Sequence, residues 1–327
     1  MTSPRLAVKT IKSLSPRPVG KLLNVGNLST PRTPEQNSCT DKLKIEQPKV
    51  NARHRFSPFK VDTPNRAKIL NDGLPDKEHS VLGSGYFGTV YRASYRGDQV
   101  AAKIVRRREC SDVAVNAEKH AAFLRHSNIV KVLAIEQGAV WSLITMELCG
   151  TSLQDYLEET VLPREERLAT WKAISNALLF CHRAGIIHAD VKPKNVLIGK
   201  DGQAKLADFG SSVIISEPKI STSLHGTPGY VAPEVIRGQS PSQASDIYSL
   251  GVLAWQLLFR KIPFAGLHAH TVLYLTGKGV RPSDIYKDDG FCGKYKSLYR
   301  KLWSEKAEDR PSLNVILERL EYLKNFT

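Results

Sequence analysis

The chain has 327 residues, and its 47 Lys and Arg against 32 Asp and Glu give a formal net charge of +15. It contains no run of about eighteen apolar residues, so the sequence predicts no membrane-spanning helix. Its five cysteines are an odd number without paired spacing, which argues against a disulfide framework and predicts a reducing, cytoplasmic location.

The first 72 residues differ in composition from the rest. They hold fourteen Lys or Arg and five Asp or Glu, so most of the net charge lies there. Their apolar residues are scattered and prolines are frequent, so residues 1–72 are predicted to be a disordered basic tail. Nucleic acid is an unlikely partner because the tail has only Phe56 and Phe59 for base stacking.

The tail also carries six Ser-Pro or Thr-Pro pairs. These pairs begin at Ser3, Ser15, Thr30, Thr33, Ser57 and Thr63. They suit a proline-directed kinase, and a phosphate on each would reduce the positive charge of the tail. An inert basic linker is the alternative interpretation.

A glycine pattern follows the tail, with Gly83, Gly85 and Gly88 in the spacing G-x-G-x-x-G. This spacing alone also fits a dinucleotide-binding turn, which opens a helix. Here β-branched and aromatic residues follow over Thr89–Tyr95, so the glycines are predicted to join two strands as a lid over phosphates. The next strand-like run ends at Lys103, whose ammonium could hold phosphates if an acidic partner fixed its position.

Other elements are predicted from periodicity. Strands are expected near 77–84, 89–95, 99–106, 131–137 and 140–146, with one helix near 113–124. Leu168, Trp171, Ile174 and Leu178 predict a long helix that opens at Pro163 and runs to 182, and further helices are expected over 249–259 and 313–323. The histidines show no metal-ligand spacing; His188 is expected to pack in the scaffold, and His182, His268 and His270 at surface or helix positions.

The run from His188 to Asn195 carries the chemistry. It contains Asp190, Lys192 and Asn195, and Asp208-Phe209-Gly210 begins thirteen residues after Asn195. A carboxylate that orients a hydroxyl, a nearby ammonium, and an amide with a second carboxylate for metal ions are the groups that phosphoryl transfer from a nucleotide requires. Each motif alone has an ordinary structural explanation, but the ordered set does not.

With these motifs in this order, the chain resembles a eukaryotic protein kinase of the serine/threonine branch over residues 76–324. The resemblance implies an α+β, two-lobed protein-kinase fold. A β-rich small lobe with one main helix would span 76–146, a hinge 147–150, and a mainly helical large lobe 151–324. The cofactors implied are ATP and Mg²⁺.

The resemblance also implies roles for individual residues. Asp190 would orient the substrate hydroxyl and accept its proton, and Lys192 would steady the migrating phosphoryl group. Asn195 and Asp208 would hold magnesium. Lys103 would pair with Glu118, with Asp112 as the weaker candidate. The nucleotide would contact the glycines and Lys103, the adenine-facing side chains and the hinge backbone: Leu82, Gly83, Gly85, Gly88, Val90, Ala101, Lys103, Glu147, Cys149 and Leu197.

Three further residues are implied as scaffold. Thr227 would bond the catalytic loop, Asp246 would brace it, and Arg310 would pair with Glu234. One position departs from the family pattern, since Ala189 stands where an arginine usually precedes the catalytic aspartate. That arginine would clamp a phosphate on the activation segment, so we expect activity that does not depend strictly on phosphorylation there. The candidate positions are Ser221, Thr222, Ser223 and Thr227.

Within the family, the chain is similar to the Mos kinases of oocytes. The similarity rests on residues 118–130, the missing arginine, Met146-Glu147, the run from Lys278 to Ser283, and Ser3-Pro4. It implies a cytoplasmic upstream activator that phosphorylates a MAP kinase kinase in meiotic MAP kinase signalling. The alternatives are another upstream kinase, Raf-like or mixed-lineage, and a pseudokinase scaffold that transfers no phosphate. Oligomeric state does not follow from the sequence.

Overall fold

The computed structural model describes residues 59–73, 80–85, 88–107, 109–216, 226–285 and 290–326. These residues form a small lobe (59–146) and a large lobe (151–326), joined by residues 147–150. The expected α+β protein-kinase architecture is confirmed, with a sheet in the small lobe and mainly helices in the large lobe. Among the described helices, none has both the length and the apolar character to cross a bilayer.

The small lobe is built on one six-stranded sheet in the order β1-β3-β4-β6-β5, with β2 also paired to β3. Its strands are β1 Phe59–Lys60, β2 Val81–Gly85, β3 Gly88–Tyr95, β4 Asp98–Arg106, β5 Val132–Gln137 and β6 Trp141–Glu147. Its helices are α1 Asn65–Asp72 and α2 Glu109–Ala121. Helix α2 begins four residues before the predicted start at 113 and ends three residues before 124.

Residues 59–72 correct the predicted boundary of the disordered tail. Strand β1 pairs in parallel with Ala93 and Ser94 of β3, and α1 packs beside the sheet. Val61 and Ile69 are fully buried in one apolar cluster with Leu143. The two apolar side chains are scattered among polar residues. They are enough to hold the segment in place because they cover a sheet face that would otherwise be open to water. The segment 59–72 is therefore ordered; residues 1–58 lie outside the described residues, and their expected disorder stays a prediction.

The large lobe surrounds two long helices, α4 Arg164–Arg183 and α6 Gln243–Phe259. The predicted helix over 163–182 is confirmed, while α6 begins six residues before the predicted position 249. Ser242 and Ser245 explain this earlier start, because they form a reciprocal capping box. The other helices are α3 Leu153–Glu159, α5 Pro233–Ile236, α7 Ala269–Gly277, α8 Phe291–Leu302 and α9 Leu313–Lys324.

Four short strands carry the loops that face the small lobe. They are β7 Ile186–Ile187, β8 Val196–Ile198, β9 Ala204–Leu206 and β10 Val213–Ile214. β8 pairs with β9 and β10 pairs with β7, both antiparallel. The catalytic run lies between β7 and β8, and Asp208 follows β9 directly. The strands thus set the loop that carries Asp190 beside the loop that carries Asp208.

Candidate active site

Lys103 lies between two carboxylates, as the motif order implied. Its Nζ donates to Oε1 of Glu118 on α2 at 3.0 Å and to Oδ1 of Asp208 at 2.7 Å. Lys103 and Glu118 are both buried. Asp112, the weaker candidate, pairs instead with Arg107 at 3.0 Å. The geometry therefore selects Glu118 over Asp112 as the partner of Lys103.

These contacts shift the pKa values of all three groups. Burial alone would lower the pKa of Lys103, but the charges of Glu118 and Asp208 outweigh burial and raise it well above its usual value. Burial would raise the pKa of Asp208, yet the charge and hydrogen bond of Lys103 hold it below its usual value. Burial raises the pKa of Glu118 despite Lys103. Lys103 is thus fixed as a cation at neutral pH, and Asp208 as an anion.

A second polar cluster surrounds Asp190. Its Oδ2 accepts from Nζ of Lys192 at 2.6 Å and from Nδ2 of Asn195 at 3.0 Å. Its Oδ1 accepts from the hydroxyl of Thr227 at 2.7 Å, and Lys192 also donates to Thr227 at 2.6 Å. The expected bond between Thr227 and the catalytic loop is thereby confirmed. The carboxylate is held in one orientation by three charged or polar partners.

The two clusters are joined through the backbone. The N–H of Ala207, next to Asp208, donates to the carbonyl of Asn195 at 2.8 Å. The ring of His188 is fully buried, donates from Nε2 to the Ala207 carbonyl at 3.1 Å, and packs edge-on against Phe209. The expected scaffold role of His188 is confirmed. Lys103, Asp190, Asn195 and Asp208 are consequently held in one connected network.

Asp246 of α6 braces the catalytic loop, as expected. Its carboxylate accepts the N–H groups of His188 and Ala189, each at 2.9 Å. Ala189 has φ +63°, a left-handed conformation that costs an alanine roughly 1 kcal/mol or more. The two hydrogen bonds to Asp246 offset this cost, so the loop keeps its conformation without an arginine at 189.

His182 lies on helix α4, one of the two kinds of position expected for it. It is buried rather than superficial, and its Nε2 lies 2.9 Å from Oδ2 of Asp246. A signal was present: His182 continues the stripe of buried positions on α4, four residues after Leu178. His182 therefore supports the brace beneath the catalytic loop.

The glycine run forms the predicted hairpin, since β2 pairs antiparallel with β3 through Gly85 and Gly88. Gly88 has φ +150°, and a Cβ there would lie 2.4 Å from the Ile104 carbonyl oxygen. Among the described residues, no atom lies within 4 Å of such a Cβ at Gly83 or Gly85, so contacts within this part of the chain do not require glycine there. Close approach of a ligand remains their physical explanation.

The residues expected around adenine lie on the sheet face and strand that border the cleft. Val90 is the register partner of Lys103, and Ala101 is two residues before it, so all three share one sheet face. Leu197 lies on β8, next to Asn195 and Val196. Leu82 is 43% exposed on β2. Their roles toward adenine stay predictions.

The chain leaves the small lobe at Glu147, the last residue of β6. Both carboxylate oxygens of Glu147 are bound by Lys205 of β9, at 3.1 and 2.9 Å. Cys149 is half-buried, and burial together with the charge of Glu147 raises the pKa of its thiol to about 11. The expected hinge positions therefore lie at the junction of the two lobes.

The scaffold pair of the large lobe is present. Arg310 donates to both oxygens of Glu234, at 2.6 and 2.8 Å, and the Arg310 side chain is fully buried. The expected pairing is confirmed. Ser221, Thr222 and Ser223 lie outside the described residues, so the expected independence from phosphorylation stays a prediction.

The donor set fits a metal ion bound together with phosphate oxygens. Within the described network, Asp208 uses Oδ1 and Asn195 uses Nδ2 for hydrogen bonds, which leaves the Asp208 Oδ2 and the Asn195 Oδ1 as oxygen ligands. Oxygen ligands suit Mg²⁺, which is usually held by one or two carboxylates plus substrate phosphates. Among the described residues no group of three or more His, Cys, Asp or Glu could form a closed metal site.

The sequence is similar to known proteins that have the same kind of site. Residues 77–320 match the protein kinase domain family. The serine/threonine-protein kinase Mos of Patiria pectinifera is 39% identical over 258 residues, which cover 74% of this chain and 73% of the relative. The Mos kinase of Xenopus laevis is 31% identical over 265 residues, covering 73% of this chain and 74% of the relative.

A second group of relatives is longer. Mitogen-activated protein kinase kinase kinase 13-B of Xenopus laevis is 33% identical over 244 residues, which cover 73% of this chain and 24% of that protein. Protein kinases use ATP and a divalent metal and act on protein substrates. From the family match, the two Mos relatives and the cleft, we conclude that the chain belongs to the protein kinase family and is a serine/threonine protein kinase of the Mos group.

Proposed function

We propose that this kinase is a cytoplasmic upstream activator that phosphorylates a MAP kinase kinase, and that it acts in MAP kinase signalling during oocyte meiosis. The likeness to Mos kinases supports the meiotic role. Relatives named mitogen-activated protein kinase kinase kinases support the substrate class. The observation that carries the chemistry is the orientation of Asp190 by Lys192, Asn195 and Thr227.

In the proposed mechanism, Asp190 is the catalytic residue that meets the substrate hydroxyl. An oxygen of its carboxylate accepts the hydroxyl proton as the hydroxyl oxygen attacks the γ-phosphorus, and the bond from the γ-phosphorus to the β,γ-bridging oxygen breaks so that ADP leaves. Lys192 lies 2.6 Å from the same carboxylate and is placed to neutralise charge on the migrating phosphoryl group. Thr227 holds the loop and the activation segment together at this point.

The nucleotide is held by the other groups. Lys103, kept in place by Glu118, contacts the α and β phosphates, and the glycine hairpin lies over them. Asp208 and Asn195 are the proposed ligands of Mg²⁺, which when bound neutralises phosphate charge and aligns the γ-phosphoryl group. Leu82, Val90, Ala101 and Leu197 enclose the adenine, and Glu147 and Cys149 offer it backbone groups.

The proposal is tested with purified full chain, magnesium-ATP and an inactive MAP kinase kinase as substrate, with casein in parallel. Asp190→Asn and Lys103→Arg are each expected to lower phosphate incorporation by roughly 10³-fold. Asp309→Asn, which changes an exposed carboxylate at the end of a 3-10 helix in the large lobe, is the matched control with unchanged rate. Phosphatase-treated wild type is expected to retain its activity, because Ala189 supplies no phosphate clamp.

Each part of the proposal has an outcome that would contradict it. Equal incorporation by wild type and Asp190→Asn would end the assigned catalytic role and revive the pseudokinase alternative. Casein phosphorylation that matches or exceeds that of the MAP kinase kinase would end the substrate assignment while the kinase activity stands. Loss of activity on phosphatase treatment would contradict the interpretation of Ala189.

A further inference from the structure

The side chain of Glu147 connects three segments at the junction of the lobes. Its Oε1 accepts the backbone N–H of Lys131 at 2.8 Å, just before β5 of the small lobe. Its two oxygens also receive the ammonium of Lys205, from β9 of the large lobe. The backbone N–H of Glu147 donates to the carbonyl of Lys131 at 2.9 Å. One carboxylate thus binds both lobes and the segment between them.

Strand β9 is the part of the large lobe that leads to the metal-binding aspartate. Lys205 precedes Asp208 by three residues, about 10 Å along an extended chain. The far side of β9 is also held by the small lobe, because Leu206 exchanges backbone hydrogen bonds with Asn128 and Val130 at 2.8 and 2.9 Å. The Lys205–Glu147 pair and the Leu206 bonds thus hold β9, which leads to Asp208, beside the small lobe that carries Lys103.

The pair is better shielded than an ordinary surface ion pair. The Lys205 side chain is 14% exposed and that of Glu147 is 29% exposed. Burial would lower the pKa of Lys205, but its hydrogen bond and charge interaction with Glu147 outweigh burial and raise it. Exposed pairs contribute little to stability, whereas charge-assisted bonds with fixed geometry constrain orientation. The Glu147–Lys205 pair is therefore better suited to fixing the angle between the lobes than to raising the free energy of unfolding.

The open side of the pair faces away from the catalytic groups. Glu147, Lys131 and Lys205 line an open cavity of about 420 Å³. The described residues that line this cavity do not include Lys103, Asp190 or Asp208. Any effect of the Glu147 carboxylate on the nucleotide site would therefore be transmitted through backbone and strand positions.

We propose that the Glu147 side chain is a positioning group which, through Lys205 and the Lys131 N–H, fixes the angle between the lobes and so sets the affinity for ATP. The inference rests on the kinase activity but not on the identity of the protein substrate. Because the hinge angle governs nucleotide contacts made before the chemical step, the effect falls on the KM for ATP and not on kcat.

The test measures the KM for ATP with casein as substrate, together with the dissociation constant of magnesium-ADP without turnover. Glu147→Ala is expected to raise both constants about tenfold, and Glu147→Gln or Lys205→Met about threefold, with kcat within about twofold. The double variant Glu147→Gln/Lys205→Met is expected to match the single variants, because the pair is already broken in each. The exchanged pair, Glu147→Lys with Lys205→Glu, should recover only the part of the lost affinity that depends on the ion pair, because a lysine at position 147 cannot accept the Lys131 N–H.

A matched control separates positioning from general destabilisation. Lys172 pairs with Glu321 between α4 and α9, inside the large lobe. Lys172→Met removes an ion pair within the large lobe and should leave the KM for ATP and the ADP affinity unchanged; the thermal midpoint of each variant is measured alongside. The proposal is overturned if Glu147→Ala leaves both constants at wild-type values, if the double variant shows the product of the single effects, or if Lys172→Met changes them equally. Failure of the wild type to prefer the MAP kinase kinase over casein would count against the proposed substrate and leave this inference standing.

Discussion

The two lobes are stabilised in different ways. The large lobe has an extensive core around α4 and α6, in which most residues of α6 are buried. The small lobe has one sheet whose outer face is covered by Val61 and Ile69 from the segment 59–72. On the sheet strand β4, Ala102 and Ile104 face that cover while Lys103 faces the cleft. The large lobe is therefore stabilised mainly by its own helices, with Ala121, Leu124 and Ile129 of the small lobe packed into the same core, whereas the small-lobe sheet depends on a segment without catalytic residues.

The buried ion pairs of the two lobes should respond differently to the loss of their cations. Arg310→Met leaves Glu234 buried and unpaired, so we expect a loss of about 3–5 kcal/mol in unfolding free energy. Lys103→Met removes the cation beside Glu118, whose pKa is already raised by burial. The Glu118 carboxyl can then take up a proton, so the loss in unfolding free energy should stay below about 2 kcal/mol. Activity, in contrast, should be lost with Lys103→Met. Calorimetry and a phosphorylation assay check both variants; equal destabilisation would remove the distinction between the lobes.

The junction between the lobes can be probed by the reactivity of Cys149. Its pKa of about 11 means that less thiolate is present at pH 7.5 than in an ordinary cysteine, and alkylation should be roughly a hundredfold slower. The rate should rise with pH until the thiol titrates near pH 11. Iodoacetamide labelling followed by mass spectrometry measures it, with a cysteine peptide as reference. A rate equal to that of the peptide would show that the junction is open to solvent.

Matched truncations sharpen the comparison of the two cores. Ile174 on α4 and Ile69 on α1 are both fully buried, so Ile→Ala removes the same atoms at each site. We expect about 4 kcal/mol for Ile174→Ala and about 2 kcal/mol for Ile69→Ala, because α1 can settle into the space while α4 cannot. Denaturant unfolding of each variant measures the difference. A larger cost at Ile69 would mean that the small lobe is the more tightly packed of the two.

Much of the site followed from local sequence. The spacing of Asp190, Lys192 and Asn195 and the position of Asp208 led to the network that the structure contains. The strands and the long helix α4 were also predicted, because period-two and period-3.6 patterns report which face of an element is buried. Errors occurred where the pattern was short, as at residues 59–72, where Val61 and Ile69 are too far apart to show a period.

Sequence alone determined the chemistry of this protein, because the groups for phosphoryl transfer lie within short motifs whose order is specific. Tertiary structure confirmed Glu118 over Asp112 as the partner of Lys103, and it alone placed His182 beneath the catalytic loop with Asp246 and Lys205 on Glu147, 58 residues apart. The physical reason is that a charged side chain carries no periodic signal, so its partner is chosen by the packing of lobes that no local pattern encodes.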